Sequence, residues 1–230
     1  MDGQSGAMLY SVSTWIIPVI LAITFHEAAH GYVARIFGDT TAWALGRVTL
    51  NPFKHIDPFG TIILPGLLLL ARSPFLFGYA KPVPVNFNRL RNPKRDMVWV
   101  AVAGPATNIL LATASALLLH LTPYVPEPAS DWIAQNLTNS ILINVVLAVF
   151  NMIPIPPLDG GRVAVGLLPG PLSRPLARLE PYGLLIFIGI VFILPLLGRD
   201  LGLNLNFVSV FISRASSAII SAIAAVTGLH

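Results

Sequence analysis

Two histidines and a glutamate occur within five consecutive residues of this chain, in the segment HEAAH at 26–30. In an α-helix residues four apart share one face, so His26 and His30 can bind a single metal ion. Glu27 lies about 100° around the helix and can reach a water held by that ion. The segment directly follows an apolar run, where an ionisable group costs from about 2.5 to over 10 kcal/mol. We therefore interpret HEAAH as a metal site and not as helix packing.

The composition is typical of a polytopic membrane protein. The 230 residues are 55% hydrophobic and only 10% charged, with a mean hydropathy of +0.75, whereas soluble domains carry about 25% charged residues. The chain has no cysteine, which excludes thiolate metal sites and leaves His, Asp and Glu as ligands. The net charge of +4 does not indicate a nucleic-acid partner in a chain of this class, and the lipid bilayer is the expected surrounding.

The hydropathy pattern predicts membrane-spanning helices at about 9–37, 97–120, 132–153, 182–197 and 205–227. The apolar run at 61–71 is shorter than the roughly 20 residues of a full span and contains Pro65-Gly66. We interpret it as re-entrant, with a short tilted span that includes 74–77 as the alternative.

The fold class is therefore an α-helical polytopic membrane protein with five to six transmembrane helices and a small re-entrant β/loop element. Residues 42–50 are expected to form a strand interrupted at Gly46, with an ordinary turn as the alternative. An exposed strand edge there could hold an unwound peptide by strand addition. We expect one membrane-embedded domain over 1–230, with a catalytic core at about 9–165, an interfacial segment at 163–180 and C-terminal helices at about 182–227.

The basic residues predict the orientation. If 61–71 is re-entrant, twelve of the fourteen lie on one side of the membrane, which the positive-inside rule makes cytoplasmic. They are Arg35, Arg47, Lys54, Arg72, Lys81, Arg89, Arg91, Lys94, Arg95, Arg162, Arg174 and Arg178. A multi-pass protein of the cell membrane is expected, with the amino terminus outside and the active site toward the cytoplasm.

A zinc site needs a third protein ligand, with the fourth position left open. Asp159 is the strongest candidate, because it follows the apolar stretch 141–150 in a proline-broken segment. Irregular backbone at membrane depth is tolerated only inside protein or beside a watery cavity. The alternative for Asp159 is a helix cap or a turn. The alternative third ligand is His55, which lies in a polar loop; His120 and His230 lie at a span end and at the terminus.

These motifs together resemble the site-2 protease family of intramembrane zinc metalloproteases, peptidase family M50. The resemblance rests on HEAAH, on NMIPIPPLDGG at 151–161, on AGPATN at 103–108, and on GRVTLNP and GYAKPVPVN at 46–52 and 78–86. It implies one zinc ion per chain, bound by His26, His30 and Asp159, with Glu27 as catalytic base. It also implies that Asn151 contacts the substrate or the reacting carbonyl. The chain looks like the compact branch, without a PDZ domain.

The activity that the resemblance implies is hydrolysis of peptide bonds within or near transmembrane segments of membrane-protein substrates, as in regulated intramembrane proteolysis. In AGPATN, Gly104 is expected to let another helix approach closely. Asn108 either bonds to a neighbouring helix or faces the active-site cavity, where it would contact the substrate or the transition state.

A transporter and an inactive scaffold are the two alternatives to a protease, and both fit the sequence less well. A transporter would show paired inverted segments, which the chain lacks, and would not explain the HEAAH spacing. An inactive scaffold would not need a complete set of ligands and base.

Overall fold

The computed structural model describes residues 3–63, 66, 67, 70, 81–203 and 205–229. Within them lie nine α-helices: α1 Gly3–Ile36, α2 Thr41–Ala44, α3 Pro93–Leu119, α4 Ala129–Asn151, α5 Asp159–Leu167, α6 Gly170–Arg178, α7 Gly183–Ile188, α8 Leu194–Asp200 and α9 Phe207–Thr227. Two π-helical turns, Pro58–Ile63 and Gly189–Ile193, and four short 3-10 turns complete the helical elements of the described residues. The predicted helical class is confirmed.

Four of these helices, α1, α3, α4 and α9, are long and apolar enough to cross a membrane. A fifth span is possible if the bent pair formed by 170–182 and 185–199 counts as one, although its two parts meet at 82°. The protein is thus a multi-pass membrane protein, and the four long helices correspond to predicted spans.

Helix α3 lies between α1 and α4 and packs closely against both. Small residues make this close packing possible. Helices in lipid have no hydrophobic driving force between them, so their association depends on close van der Waals contact. Ala112 and Ala116 of α3 are fully buried beside Val145 of α4, and Ile223 of α9 joins the same cluster. The core is therefore a helix bundle with α3 at its centre.

The direction of α9 follows from contacts at its carboxyl end. The His120 Nε2 at the end of α3 is 2.9 Å from the Thr227 carbonyl oxygen, so α9 runs parallel to α3. At the start of α4, Trp132 donates to Ser13 of α1 at 3.0 Å. The first turns of α1 and α4 and the last turns of α3 and α9 therefore share one side of the bundle.

Helix α7 begins on the opposite side. Gly183 lies against Pro156, where a Cβ would be 2.2 Å from the Pro156 carbonyl oxygen, and Phe187 stacks edge-on with Phe150 at the end of α4. A 21-residue helix is about 30 Å long, so α9 also begins near this side. The starts of α7 and α9 therefore lie near the same side of the bundle.

The strand predicted at 42–50 is wrong. Thr41–Ala44 forms a helical turn, and no strand occurs among the described residues. The Asp39 carboxylate accepts hydrogen bonds from the Thr41 amide and hydroxyl, which starts the turn in the way typical of aspartate. Gly46 adopts φ +63, and the Arg47 amide then donates to the Ala42 carbonyl at 2.9 Å. A left-handed glycine closes helices in this manner, and it overrides the β-forming residue types.

Five of the eleven residues of the apolar run predicted to be re-entrant, 61–71, lie outside the described residues, as do 74–77 and the first part of the 78–86 segment. The choice between re-entry and a full span therefore stays a prediction.

Candidate metal centre and catalytic site

The two histidines of HEAAH converge as predicted. They lie one turn apart on α1 and are buried, at 7% and 8% exposure. Their Nε2 atoms are 3.1 Å apart, and the rings meet edge to face. Both imidazoles thus point to one position between α1 and α3.

Asp159 reaches the same position from a different part of the chain. It is the first residue of α5 and follows the broken segment 152–158. Its Oδ2 lies 3.3 Å from the Nε2 of His26 and 3.3 Å from that of His30. Two glycines permit this turn: a Cβ on Gly160 would be 2.2 Å from the Met152 carbonyl oxygen. A Cβ on Gly161 would be 2.4 Å from the Pro156 nitrogen.

The three residues fit a zinc ion. Donor atoms bound at about 2.0–2.1 Å to a tetrahedral zinc are about 3.3–3.4 Å apart, close to the 3.1–3.3 Å separations found here. The buried Asp159 Oδ2 has no hydrogen-bond donor within the part of the chain that the structure describes. A bound ion is one of the established explanations for such an oxygen, and the two imidazole nitrogens beside it favour that explanation here. In the described residues, these three form the single His/Asp/Glu group close enough to hold a metal.

Each imidazole is oriented through its second nitrogen. His30 Nδ1 donates to the Val100 carbonyl of α3 at 2.7 Å. His26 Nδ1 lies 2.6 Å from the Asn108 side-chain oxygen. Outer partners of this kind fix the orientation and tautomer of metal-binding histidines. Helix α3 therefore supports both ligands without supplying one.

Gly104 lets α3 come this close. A Cβ at this position would be 2.5 Å from His30 Nε2 and 2.7 Å from His26 Nε2. Any larger residue would collide with the ligand atoms themselves. The predicted role of a small residue at a helix crossing is confirmed, and the crossing lies at the metal site.

Glu27 is half-buried on the adjoining face of α1. Its Oε2 accepts a hydrogen bond from the Val83 amide at 2.7 Å. The Arg47 guanidinium donates to the Lys81 carbonyl at 2.8 Å, and the Lys81 amide donates to the His55 carbonyl at 2.9 Å. The segment at 81–83 is thus held at three points, one of them the carboxylate.

The remaining predicted site residues lie as follows. Asn108 is fully buried and bonds to α1 and α4, as the helix-bridging alternative expects; a substrate contact at this position stays a prediction. Asn151 ends α4, is half-buried and donates to the Leu147 carbonyl at 3.0 Å. His55 is buried with Nε2 2.9 Å from the Thr49 carbonyl oxygen and is not part of the cluster of three ligands. The geometry brings Asp159, and not His55, to the two histidines, and its role as third ligand stays a prediction.

Asn144 lies next to the site but was not among the predicted residues; its side chain accepts a hydrogen bond from Asn108 at 2.7 Å. The available signal was a polar amide in the apolar stretch 141–150. Asp39 was likewise not predicted; it holds the loop after α1 by accepting hydrogen bonds from Thr41 and from the Asn86 amide.

The chain is similar in sequence to several known proteins. The protein YwhC of Bacillus subtilis strain 168, whose name gives a provisional assignment as a zinc metalloprotease, is 42% identical over 185 residues. The match covers 79% of this chain and 80% of the relative. The chain belongs to peptidase family M50. The model of that family matches residues 127–196, which include Asp159.

Other relatives have similarly assigned names. Rip2 of Mycolicibacterium smegmatis is 30% identical over 194 residues, covering 84% of this chain and 70% of the relative. MJ0611 of Methanocaldococcus jannaschii is 32% identical over 161 residues, covering 67% and 72%. No solved structure matches the chain at a significant level. The resemblance to site-2 proteases is confirmed, and this M50 member is a membrane zinc metalloprotease.

Proposed function

We propose that this M50 peptidase hydrolyses peptide bonds within or near transmembrane segments of membrane-protein substrates, as in regulated intramembrane proteolysis. The observation that carries the proposal is the burial of His26, His30 and Asp159 between membrane-length helices. All three are at most 8% exposed, and α1 and α3, which enclose the histidines, both qualify as spans. A protease with its centre between such helices is suited to substrates that are themselves in the membrane.

In this proposal His26, His30 and Asp159 hold the zinc ion and Glu27 is the general base. Zinc supplies Lewis-acid chemistry, because it lowers the pKa of water and stabilises negative charge that develops on a carbonyl oxygen. The Glu27 carboxylate takes a proton from the attacking water and passes it to the nitrogen of the leaving amine. Its present bond to the Val83 amide keeps the carboxylate oriented without neutralising it. No covalent acyl-enzyme is required.

Asn151 is proposed to orient the substrate backbone or to donate to the developing oxyanion. Its amide donates to a carbonyl of its own helix, a bond that can be exchanged for a substrate without unpacking the bundle. Asn108 has no such freedom, since both its oxygen and its nitrogen are bonded to other helices.

The amino terminus is proposed to lie outside the cell and the metal centre toward the cytoplasmic side. Twelve of the fourteen basic residues lie in the sequence from the carboxyl end of α1 to the amino end of α3 or in helices α5 and α6. The site lies in the second half of α1 and at the end of the α4 span, on that same side.

A variant of the proposed base separates proteolysis from metal transport and from a scaffold role. Glu27→Gln should keep one zinc per chain and lose cleavage of membrane substrates, whereas His26→Ala and Asp159→Ala should lose zinc as well. Turnover above about a hundredth of native in Glu27→Gln would contradict the general-base role, because such groups contribute about 10²–10⁴-fold. Normal zinc content in Asp159→Ala would contradict Asp159 as the third ligand, and His55 would be the next candidate to test. Membrane proteomes of cells with native and Glu27→Gln enzyme identify substrates.

A further inference from the structure

A chain of two buried asparagines connects the middle of the helix bundle to His26. The Asn144 oxygen on α4 accepts from Asn108 Nδ2 on α3 at 2.7 Å, and the Asn108 oxygen lies 2.6 Å from His26 Nδ1 on α1. Asn108 is 0% exposed and Asn144 is 1% exposed. Three helices are therefore joined by one line of side-chain hydrogen bonds that ends at a metal-ligand candidate.

Backbone carbonyls at both ends fix the direction of every bond in this line. Asn108 Nδ2 also donates to the Ala22 carbonyl at 3.2 Å, and Asn144 Nδ2 donates to the Ser140 carbonyl at 2.9 Å. A carbonyl oxygen can only accept. Each carboxamide must therefore keep its NH2 group toward its carbonyl and its oxygen toward the next member of the line. Turning Asn108 over would place its oxygen against the oxygens of Ala22 and Asn144. Turning Asn144 over would place its oxygen against the Ser140 carbonyl and its NH2 group against that of Asn108.

This direction decides the tautomer of His26. Because the Asn108 oxygen faces Nδ1, the proton of the neutral imidazole must be on Nδ1, and the lone pair must be on Nε2. Nε2 is the nitrogen that points to Asp159 and His30. His30 obtains the same result from a single backbone carbonyl, that of Val100, but His26 depends on two side chains.

We propose that Asn108 and Asn144 are positioning residues that hold His26 in its Nδ1–H tautomer, so that the Nε2 lone pair faces the metal position before metal binds. This rests on the proposed role of His26 as a zinc ligand. Without the asparagines, the metal-free imidazole can rotate or carry its proton on Nε2, and zinc must then displace that proton or wait for the other tautomer. The expected consequence is weaker zinc binding.

The decisive comparison is between two replacements of Asn108. Asn108→Asp keeps an oxygen for the His26 Nδ1–H, and a carboxylate is a frequent partner of zinc-bound histidine. Asn108→Leu has a similar volume and no acceptor. Tautomer control predicts stronger zinc binding in Asn108→Asp than in Asn108→Leu. If Asn108 served packing alone, Asn108→Leu should be the more stable of the two variants, because a buried carboxylate costs more than leucine. Zinc affinity should then show no selective change.

Asn144→Leu tests the second member, with Asn139→Leu as its matched control. Asn139 lies on the same helix, is also buried and also bridges to α1, through the Thr14 carbonyl at 3.0 Å. It does not contact Asn108 or His26. Both variants lose an interhelical hydrogen bond and should lower the melting temperature, but only Asn144→Leu should weaken zinc binding.

The measurements use purified full-length protein in detergent. Zinc affinity comes from competition with a chelator, and the His26 tautomer comes from ¹⁵N-histidine NMR of metal-free protein at mildly alkaline pH, with the signal assigned by its loss in His26→Ala. We expect Nδ1–H in native protein, a tautomer mixture in Asn108→Leu, and a 10- to 100-fold loss of zinc affinity, the range of about 10–100-fold for such outer partners.

The proposal is overturned if Asn108→Leu keeps the Nδ1–H tautomer with native zinc affinity, or if Asn144→Leu and Asn139→Leu behave alike in both measurements. Failure of the proposed function itself is distinguishable. In that case His26→Ala would bind zinc as tightly as native protein, while the tautomer in metal-free protein would still report on the asparagines.

Discussion

Replacement of Gly104 by alanine tests the metal centre through a single added methyl group. Gly104 is where α3 crosses the two histidines of α1, and a Cβ there would lie 2.5 Å from His30 Nε2 and 2.7 Å from His26 Nε2. Both distances fall about 0.7 to 0.9 Å short of the 3.4 Å at which ordinary contact begins. The imidazoles or α3 must therefore move by most of an ångström.

A displacement of this size is incompatible with a good zinc site. Protein–metal distances are conserved within about 0.2 Å, so both bonds would be lengthened or misdirected. We expect Gly104→Ala to lower zinc affinity by at least about 100-fold, beyond the range of about 10–100-fold for loss of an outer histidine partner. Cleavage should fall with it. In a helix interior, replacing glycine by alanine otherwise stabilises the helix by up to about 1 kcal/mol. A lower melting temperature of Gly104→Ala would therefore come from the collision with the histidines.

The assay is chelator competition and single-turnover cleavage on one preparation, with melting temperature as the check on folding. Gly6→Ala is the matched control, because it adds the same methyl group to α1 where no atom lies within 4 Å. It should bind zinc normally. If Gly104→Ala kept zinc affinity within about twofold of native, well inside the usual effect of an outer-partner change, the placement of the histidines against α3 would be wrong.

Three further outcomes are expected. Asn151→Ala should keep zinc and melting temperature and lose about 10²–10³-fold in turnover, with Asn151→Asp worse than Asn151→Gln; a lower melting temperature with native turnover would mean a structural role only. Burial tends to raise the pKa of Asp39, but hydrogen bonds from Thr41 and Asn86 outweigh it and lower the pKa, so its stabilising effect is present above the ordinary aspartate pKa and is lost as pH falls through the lower native pKa. The melting-temperature gap between native protein and Asp39→Asn should be constant near neutral pH and close in acid. A single cysteine at Asn88 or Leu203 should resist an impermeant reagent outside intact cells, and labelling at Asn88 would mean that 61–71 spans fully.

The parts of the site that the sequence could predict are those with local or compositional signals. HEAAH places two ligands on one helix face whatever surrounds it, and prolines beside an acid mark Asp159 as unusual in an apolar stretch. The absence of cysteine narrows the donor types further. What could not be predicted is the pairing across helices: that Val100 offers its carbonyl, that Asn144 orients Asn108, and that Gly104 touches both imidazoles depend on the register of α3 against its neighbours.

The failed strand at 42–50 shows a different limit. Its Val, Trp and Leu residues favour a strand, but the deciding interactions come from Asp39, three residues before the segment, and from the left-handed Gly46. A carboxylate that caps a turn is a common feature, and the sequence alone does not show that this one is 0% exposed and also holds the Asn86 amide. Long apolar helices were predictable because each satisfies its own backbone in lipid.

The direction of α9 explains the positions of Arg199 and Arg214, the two basic residues outside the twelve predicted to lie on the cytoplasmic side. Thr227 lies beside His120, so α9 begins on the side where α1 ends, and Arg214, its eighth residue, lies about 10 Å from that beginning. Arg214 is exposed, and its long side chain can extend back to the headgroups of that side. Arg199 lies between α7, which starts on that side, and α9. If both 61–71 and the segment from α7 to α9 re-enter, all fourteen basic residues lie on or toward one face, as the rule requires. A full crossing at 182–197 would instead put Arg199 outside and would separate Thr227 from His120 by the thickness of the membrane.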